Sequence, residues 1–251
     1  MDLAFKAAAW GLLAGSALVI GAALGWFLHV SQRLIAAIMA FGAGVLISAL
    51  AFDLMDEAYQ RGGLDSTGAG FVAGAAVFTV ANALLARYGA RHRKRSQGQQ
   101  PSENEDSGSG LAIALGALLD GIPESMVIGL SLLEGGAVSL VAVIAIFLSN
   151  VPEGLSSAAG MKQAGRSAAY VFGVWGAIAL ISGAAAWAGY TIFQGASQEW
   201  VAGTTAIAAG AILAMLADTM IPEAFEVARD AAGLITVIGF LAAFVLSKMG
   251  G

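Results

Sequence analysis

The sequence predicts an all-α fold, a polytopic bundle of eight transmembrane helices, and three observations set that class. Only 12% of the 251 residues are charged while 58% are hydrophobic, against about 25% charged in a soluble domain. Mean hydropathy is +0.79, and the charges gather in short clusters between apolar runs of about 20 residues, the length that crosses a bilayer. Glycine is abundant at 34 residues, which suits membrane helices whose small residues allow close approach.

The apolar runs place spans at 4–28, 34–58, 68–90, 110–132, 138–161, 168–193, 200–226 and 231–249. The first lacks a basic segment ahead of it and is too long for a signal peptide, so it reads as a retained helix. It carries Gly11-x-x-x-Gly15 and Gly21-x-x-x-Gly25, spacings that build small-residue packing faces. The second ends in Phe52-Asp53-Leu54-Met55-Asp56-Glu57-Ala58. After the third comes the one long polar stretch, about 91–109, read as a flexible cytoplasmic loop. It interrupts the bundle without dividing it, so residues 1–251 form a single transmembrane domain. The fourth and fifth spans hold the central acids, and the seventh holds Asp218-Thr219-Met220-Ile221-Pro222-Glu223-Ala224.

Basic residues set the orientation. With the N-terminus outside, nine of twelve lie on the cytoplasmic side and only Lys6, Arg61 and Lys248 lie outside. Both termini are then outside. The cluster Arg91–Arg95 is read as this topology signal, and no nucleic-acid partner is expected. Cysteine is absent, which excludes disulfides and thiolate ligands. His29 and His92 stand at helix ends without a partner at ligand spacing. No enzyme is expected: the spans hold no Ser–His pair, no His-Glu-x-x-His helix and no phosphate loop.

The informative residues are the acids inside the spans, since a charge at the bilayer centre costs about 2.5–3.5 kcal/mol. Span four carries Leu119-Asp120-Gly121-Ile122-Pro123-Glu124-Ser125, and span five carries Leu148-Ser149-Asn150-Val151-Pro152-Glu153-Gly154, one pattern written twice. Residues four apart share a helix face about 6 Å apart. Antiparallel packing then sets Asp120 level with Glu153, and Glu124 level with Ser149. Four oxygen-bearing side chains are expected to converge on one point, with Asn150 beside them. Three gathered carboxylates need protons or a cation, and a divalent metal ion meets that need best. Pro123 and Pro152 free the carbonyls of Leu119 and Leu148, which line transport sites elsewhere. Asp53 and Glu57 are expected at the outer mouth, Asp218 and Glu223 at the cytoplasmic exit, with Asp53 and Asp218 the deeper pair.

These four motifs resemble the ZIP (Zrt/Irt-like) family of divalent metal transporters. The family's fourth span reads His-Asn-x-Pro-Glu-Gly and its fifth His-Asp/Asn-x-Pro-Glu. Span two is similar to Gly-x-x-x-x-x-Ala-Phe-x-His-x-x-Pro-Glu-Ala, here Gly44 to Ala58, and span seven to Glu-x-Ile-Pro-Glu-Ala. The resemblance covers the whole chain. It implies uptake of zinc or a related ion into the cytosol across the cytoplasmic (inner) membrane by alternating access, with spans one, four, five and six moving as a unit. It makes Asp120, Glu124, Ser149 and Glu153 the primary metal site. The lipid bilayer and the metal ion are the expected partners, with a homodimer left open. Every ligand histidine of the family is replaced, by Asp53, Asp120 and Ser149, while Gly121 and Ala186 stand where a second site needs polar groups. An oxygen-only site suits Mn²⁺ or Mg²⁺ better than zinc; Fe²⁺ and Cd²⁺ are the other candidates. The competing functions are a non-transporting membrane metal sensor or assembly subunit, and a proton-only carrier.

Overall fold

The computed structural model describes residues 2–94, 100–102, 109–133 and 136–249. Among them the secondary structure is helical throughout, with no strand. The order is α1 (Leu3–Phe27), α2 (Gln32–Ala49), α3 (Met55–Ala86), α4 (Ser109–Ser131), α5 (Leu140–Gln163), α6 (Ala168–Phe193), α7 (Gln198–Met215), α8 (Ile221–Ala228) and α9 (Asp230–Met249). Serines start four of them. Ser31, Ser139, Ser167 and Ser197 each accept a backbone N–H three residues on, satisfying a donor that the first turn leaves orphaned. A π-helical turn, Leu50–Leu54, joins α2 to α3, and another, Leu216–Met220, joins α7 to α8.

Seven helical runs are long and apolar enough to cross a membrane, as a multi-pass membrane protein requires. One of them, Gln32–Ala86, has 55 residues and would measure about 80 Å if straight, far beyond the ~30 Å hydrocarbon core. It is not straight. Gly63 has φ 68° and ψ −176°, a conformation open essentially to glycine alone. The contacts reverse there. Leu50 and Leu54 border Ile212 of α7, a glycine Cβ at 62 would meet Ala202, and Gly74 then lies against Ile207. The apolar runs left 59–67 between two spans. The chain is helical on both sides and turns at one residue, because glycine supplies the whole change of direction.

Glycines set the closest approaches. On α1, Gly11 and Gly15 lie against Ser182 of α6, while Gly21 and Gly25 lie against the carbonyls of Val151 and Leu155 of α5. Gly129 of α4 meets Ala186 of α6, and Gly189 of α6 meets Met126 of α4. Elsewhere Gly44 of α2 meets Thr236 of α9, and Gly210 of α7 meets Phe71 of α3. Helices α1, α4, α5 and α6 therefore lock together, as do α2 with α9 and α3 with α7. Large apolar side chains such as Val77, Leu180 and Leu234, at 67%, 68% and 66% exposure, cover the outer flanks.

Candidate functional site

Helices α4 and α5 run unbroken through Pro123 and Pro152. Proline removes one donor from a ladder that the packed neighbours keep in place. Leu119 and Pro123 line an apolar cavity bordered by Phe78 of α3 and Ala208 of α7. The Pro123 segment of α4 thus presents an apolar flank there.

Asp120 sits halfway along α4, and Asp120, Glu124, Ser149 and Glu153 are all buried. Two cations lie among them. Arg93 grips Asp120 with a two-pronged fork, Nε to Oδ2 at 2.9 Å and a terminal nitrogen to Oδ1 at 2.8 Å. The Lys94 Nζ donates to Glu153 at 2.8 Å and lies 3.3 Å from Asp120. One ammonium touching both carboxylates shows that Asp120 and Glu153 are level, as the antiparallel arrangement demands. Burial works against the Lys94 ammonium, but Asp120 and Glu153 outweigh it and hold its pKa above the ordinary lysine value. Glu124, also fully buried, faces Glu153, Lys94 and Asp120 electrostatically. Its Oε1 accepts no hydrogen bond from the described residues.

This corrects two expectations. The four oxygen-bearing side chains do not converge on one point: among the described residues, no group of three acids or histidines is arranged to hold one metal ion. Arg93 and Lys94 stand between the acids. Ser149 turns its hydroxyl to the Ile146 carbonyl of its own helix, and Asn150 donates its amide to the Ala14 carbonyl of α1. Second, the basic cluster is more than a topology signal, because two of its members are buried at 2% and 3% exposure. The chain itself thus supplies two positive charges to the three carboxylates.

A framework holds that segment in place. After α3, Gly89 (φ 94°) opens a short 3-10 turn, Ala90–His92. Arg93 then donates to Asn82 Oδ1 of α3 at 2.8 Å and to the Ala90 carbonyl at 3.3 Å. Its side chain crosses Gly116 so closely that a Cβ there would collide with it. Ser156 of α5 donates to the Lys94 carbonyl at 2.5 Å, and Gln100 donates to the carbonyls of Arg93 and Ser157. Arg166 reaches the Pro101 carbonyl and Ser109. Part of the stretch read as a flexible loop is therefore tied down; residues 95–99 and 103–108 of it lie outside the described residues.

The flanking acids sort differently from their sequence ranking. Asp53, half-buried in its π turn, accepts from Ser247 of α9 at 3.0 Å, and Glu57 pairs with Arg61 at 2.7 Å. Asp218 is exposed, although its charge reaches Arg93, whereas Glu223 is buried and meets the Ser156 hydroxyl at 3.5 Å. Of the two, Glu223 is the buried one and Asp218 the exposed one. Residues 50–58 and 216–224 match in sequence register: each begins with the five-residue π turn and ends in Glu-Ala. π-turns of this kind are frequent at functional sites.

Sequence reasoning missed Arg93, Lys94, Asn82, Ser156 and Gln100. The available signal was the charge imbalance, since three buried acids call for nearby bases and 91–95 is the chain's one dense basic run. The chain matches no protein-family model, and no curated protein is similar to it.

Proposed function

We propose that this protein is a ZIP-like carrier that moves a divalent metal cation into the cytosol past the buried carboxylates of Asp120, Glu124 and Glu153. On this reading it has eight spans, the Gln32–Ala86 run counting as two, and sits in the cytoplasmic membrane with both termini outside. Alternating access moves α1, α4, α5 and α6 against the remaining helices. The observation that carries the proposal is Glu124: a carboxylate buried halfway through the bundle beside Glu153, with an oxygen that no described group engages. Zinc is the cargo the motif resemblance favours, and Mn²⁺, Fe²⁺ or Mg²⁺ the cargo an oxygen-only donor set favours.

One observation favours a second reading, a non-transporting membrane sensor or assembly subunit. The ion pairs of Arg93 and Lys94 already neutralise two of the three central acids. Equilibrium dialysis of the purified protein against Zn²⁺, Mn²⁺, Fe²⁺, Cd²⁺ and Mg²⁺ in turn, beside Glu153→Ala, tests the proposed site. Retention of an ion that the variant loses supports it. Equal retention by both proteins counts against the central carboxylates.

A further inference from the structure

Arg93 and Lys94 are adjacent in sequence but held very differently. The Arg93 guanidinium makes four hydrogen bonds, to both oxygens of Asp120, to Asn82 and to the Ala90 carbonyl, and its stem lies on Gly116. A planar fork so fully matched is a fixed component. Among the described residues the Lys94 ammonium contacts only the carboxylates of Asp120 and Glu153, and lysine is a point charge on a flexible stem.

The charges can be followed through its departure. With both bases in place, three carboxylates face two cations. With Lys94 withdrawn, Arg93 still pairs with Asp120, while Glu124 and Glu153, when ionised, are left as two buried negative charges without that ammonium. Such a pair is not stable alone, and a single divalent cation balances it. Glu124 Oε1, buried and without a hydrogen bond from the described residues, marks the side on which that ion has an acceptor waiting.

We propose that Lys94 is a tethered occupant of the cation site: a divalent ion binds between Glu124 and Glu153 only as Lys94 leaves, while Arg93 stays clamped to Asp120. This rests on the cation-carrier reading and narrows it. Asp120 becomes a structural partner of Arg93, and Lys94 becomes the residue that sets how tightly cargo is held. The ion's apparent affinity is reduced by the fraction of time Lys94 is seated.

The test is Mn²⁺ binding to the purified full-length chain, followed by the electron paramagnetic resonance of free Mn²⁺. Lys94→Gln should bind about tenfold or more tightly than the wild type, Lys94→Arg no more tightly than the wild type, and Lys94→Gln with Glu124→Gln should lose the gain. Equal affinity in wild type and Lys94→Gln would overturn the role of Lys94 and leave the cation site standing. Absence of binding by both, for Mn²⁺ and for Zn²⁺, would overturn the cation site and the inference together. Should Lys94→Gln fail to fold, amine acetylation of the wild type decides. Lys94 should react faster in saturating Mn²⁺ or Zn²⁺ than without it, and an unchanged rate under both ions contradicts the proposal.

Discussion

Arg93 and Asp120 form a buried pair whose members cannot be separated cheaply. Removing one partner leaves an uncompensated charge in a dry interior, at a cost of about 3–5 kcal/mol. Arg93→Gln should therefore lower the thermal midpoint in detergent sharply, and Asp120→Asn added to it should recover most of the loss. If the double variant is no better than Arg93→Gln, Arg93 acts through something other than Asp120. The nearness of Asp120 to Glu153 was legible in the sequence, because helix period and a repeated heptad set it. The burial of Arg93 and Lys94 was not. A run of arginines and lysines beside a span end has the same composition whether it faces water or turns inward. What turns it inward is tertiary: the Asn82 amide, the bare surface of Gly116 and the hydroxyl of Ser156.

At the scale of elements, three glycines separate the physical roles that their common name hides. Gly63 has open space around its Cβ position but a positive φ of 68°, so Gly63→Ala should cost about 1–3 kcal/mol through backbone strain alone. Gly21 has helical backbone but lies against the Val151 carbonyl. Gly21→Ala should cost a similar amount, about 1–3 kcal/mol, by pushing α1 off α5. Gly173 is exposed on α6 with neither constraint, and Gly173→Ala should gain about 0.5–1 kcal/mol from helix propensity. Thermal unfolding of the three variants should order them with Gly173→Ala alone above the wild type. The spans were legible because apolar length is a direct consequence of bilayer thickness. Their joints were less so: the turn at Gly63 and the two π turns depend on single-residue geometry that hydropathy does not record.

For the whole molecule, the tightest glycine contacts between helices fall within three groups, α1 with α4, α5 and α6, α2 with α9, and α3 with α7, while Gly42 of α2 approaches Ser149 of α5 less closely. The carboxylates belong to the first group, and the side chains that meet them, Arg93 and Lys94, come from outside it; Asn82 of α3 holds Arg93, and Glu223 of α8 meets Ser156 of α5. The site thus lies where one rigid unit faces the others, the place at which relative movement of the two would open or close it. The resemblance of motifs in the sequence implies such a division, and the proposed carrier would move along it. Uptake by proteoliposomes offered Zn²⁺, Mn²⁺, Fe²⁺, Cd²⁺ and Mg²⁺ in turn, with Glu153→Ala as the control, tests the account most directly. It predicts saturable entry of at least one of these ions, lost in the control. Correctly folded protein that admits none of them would contradict it and point to the non-transporting sensor.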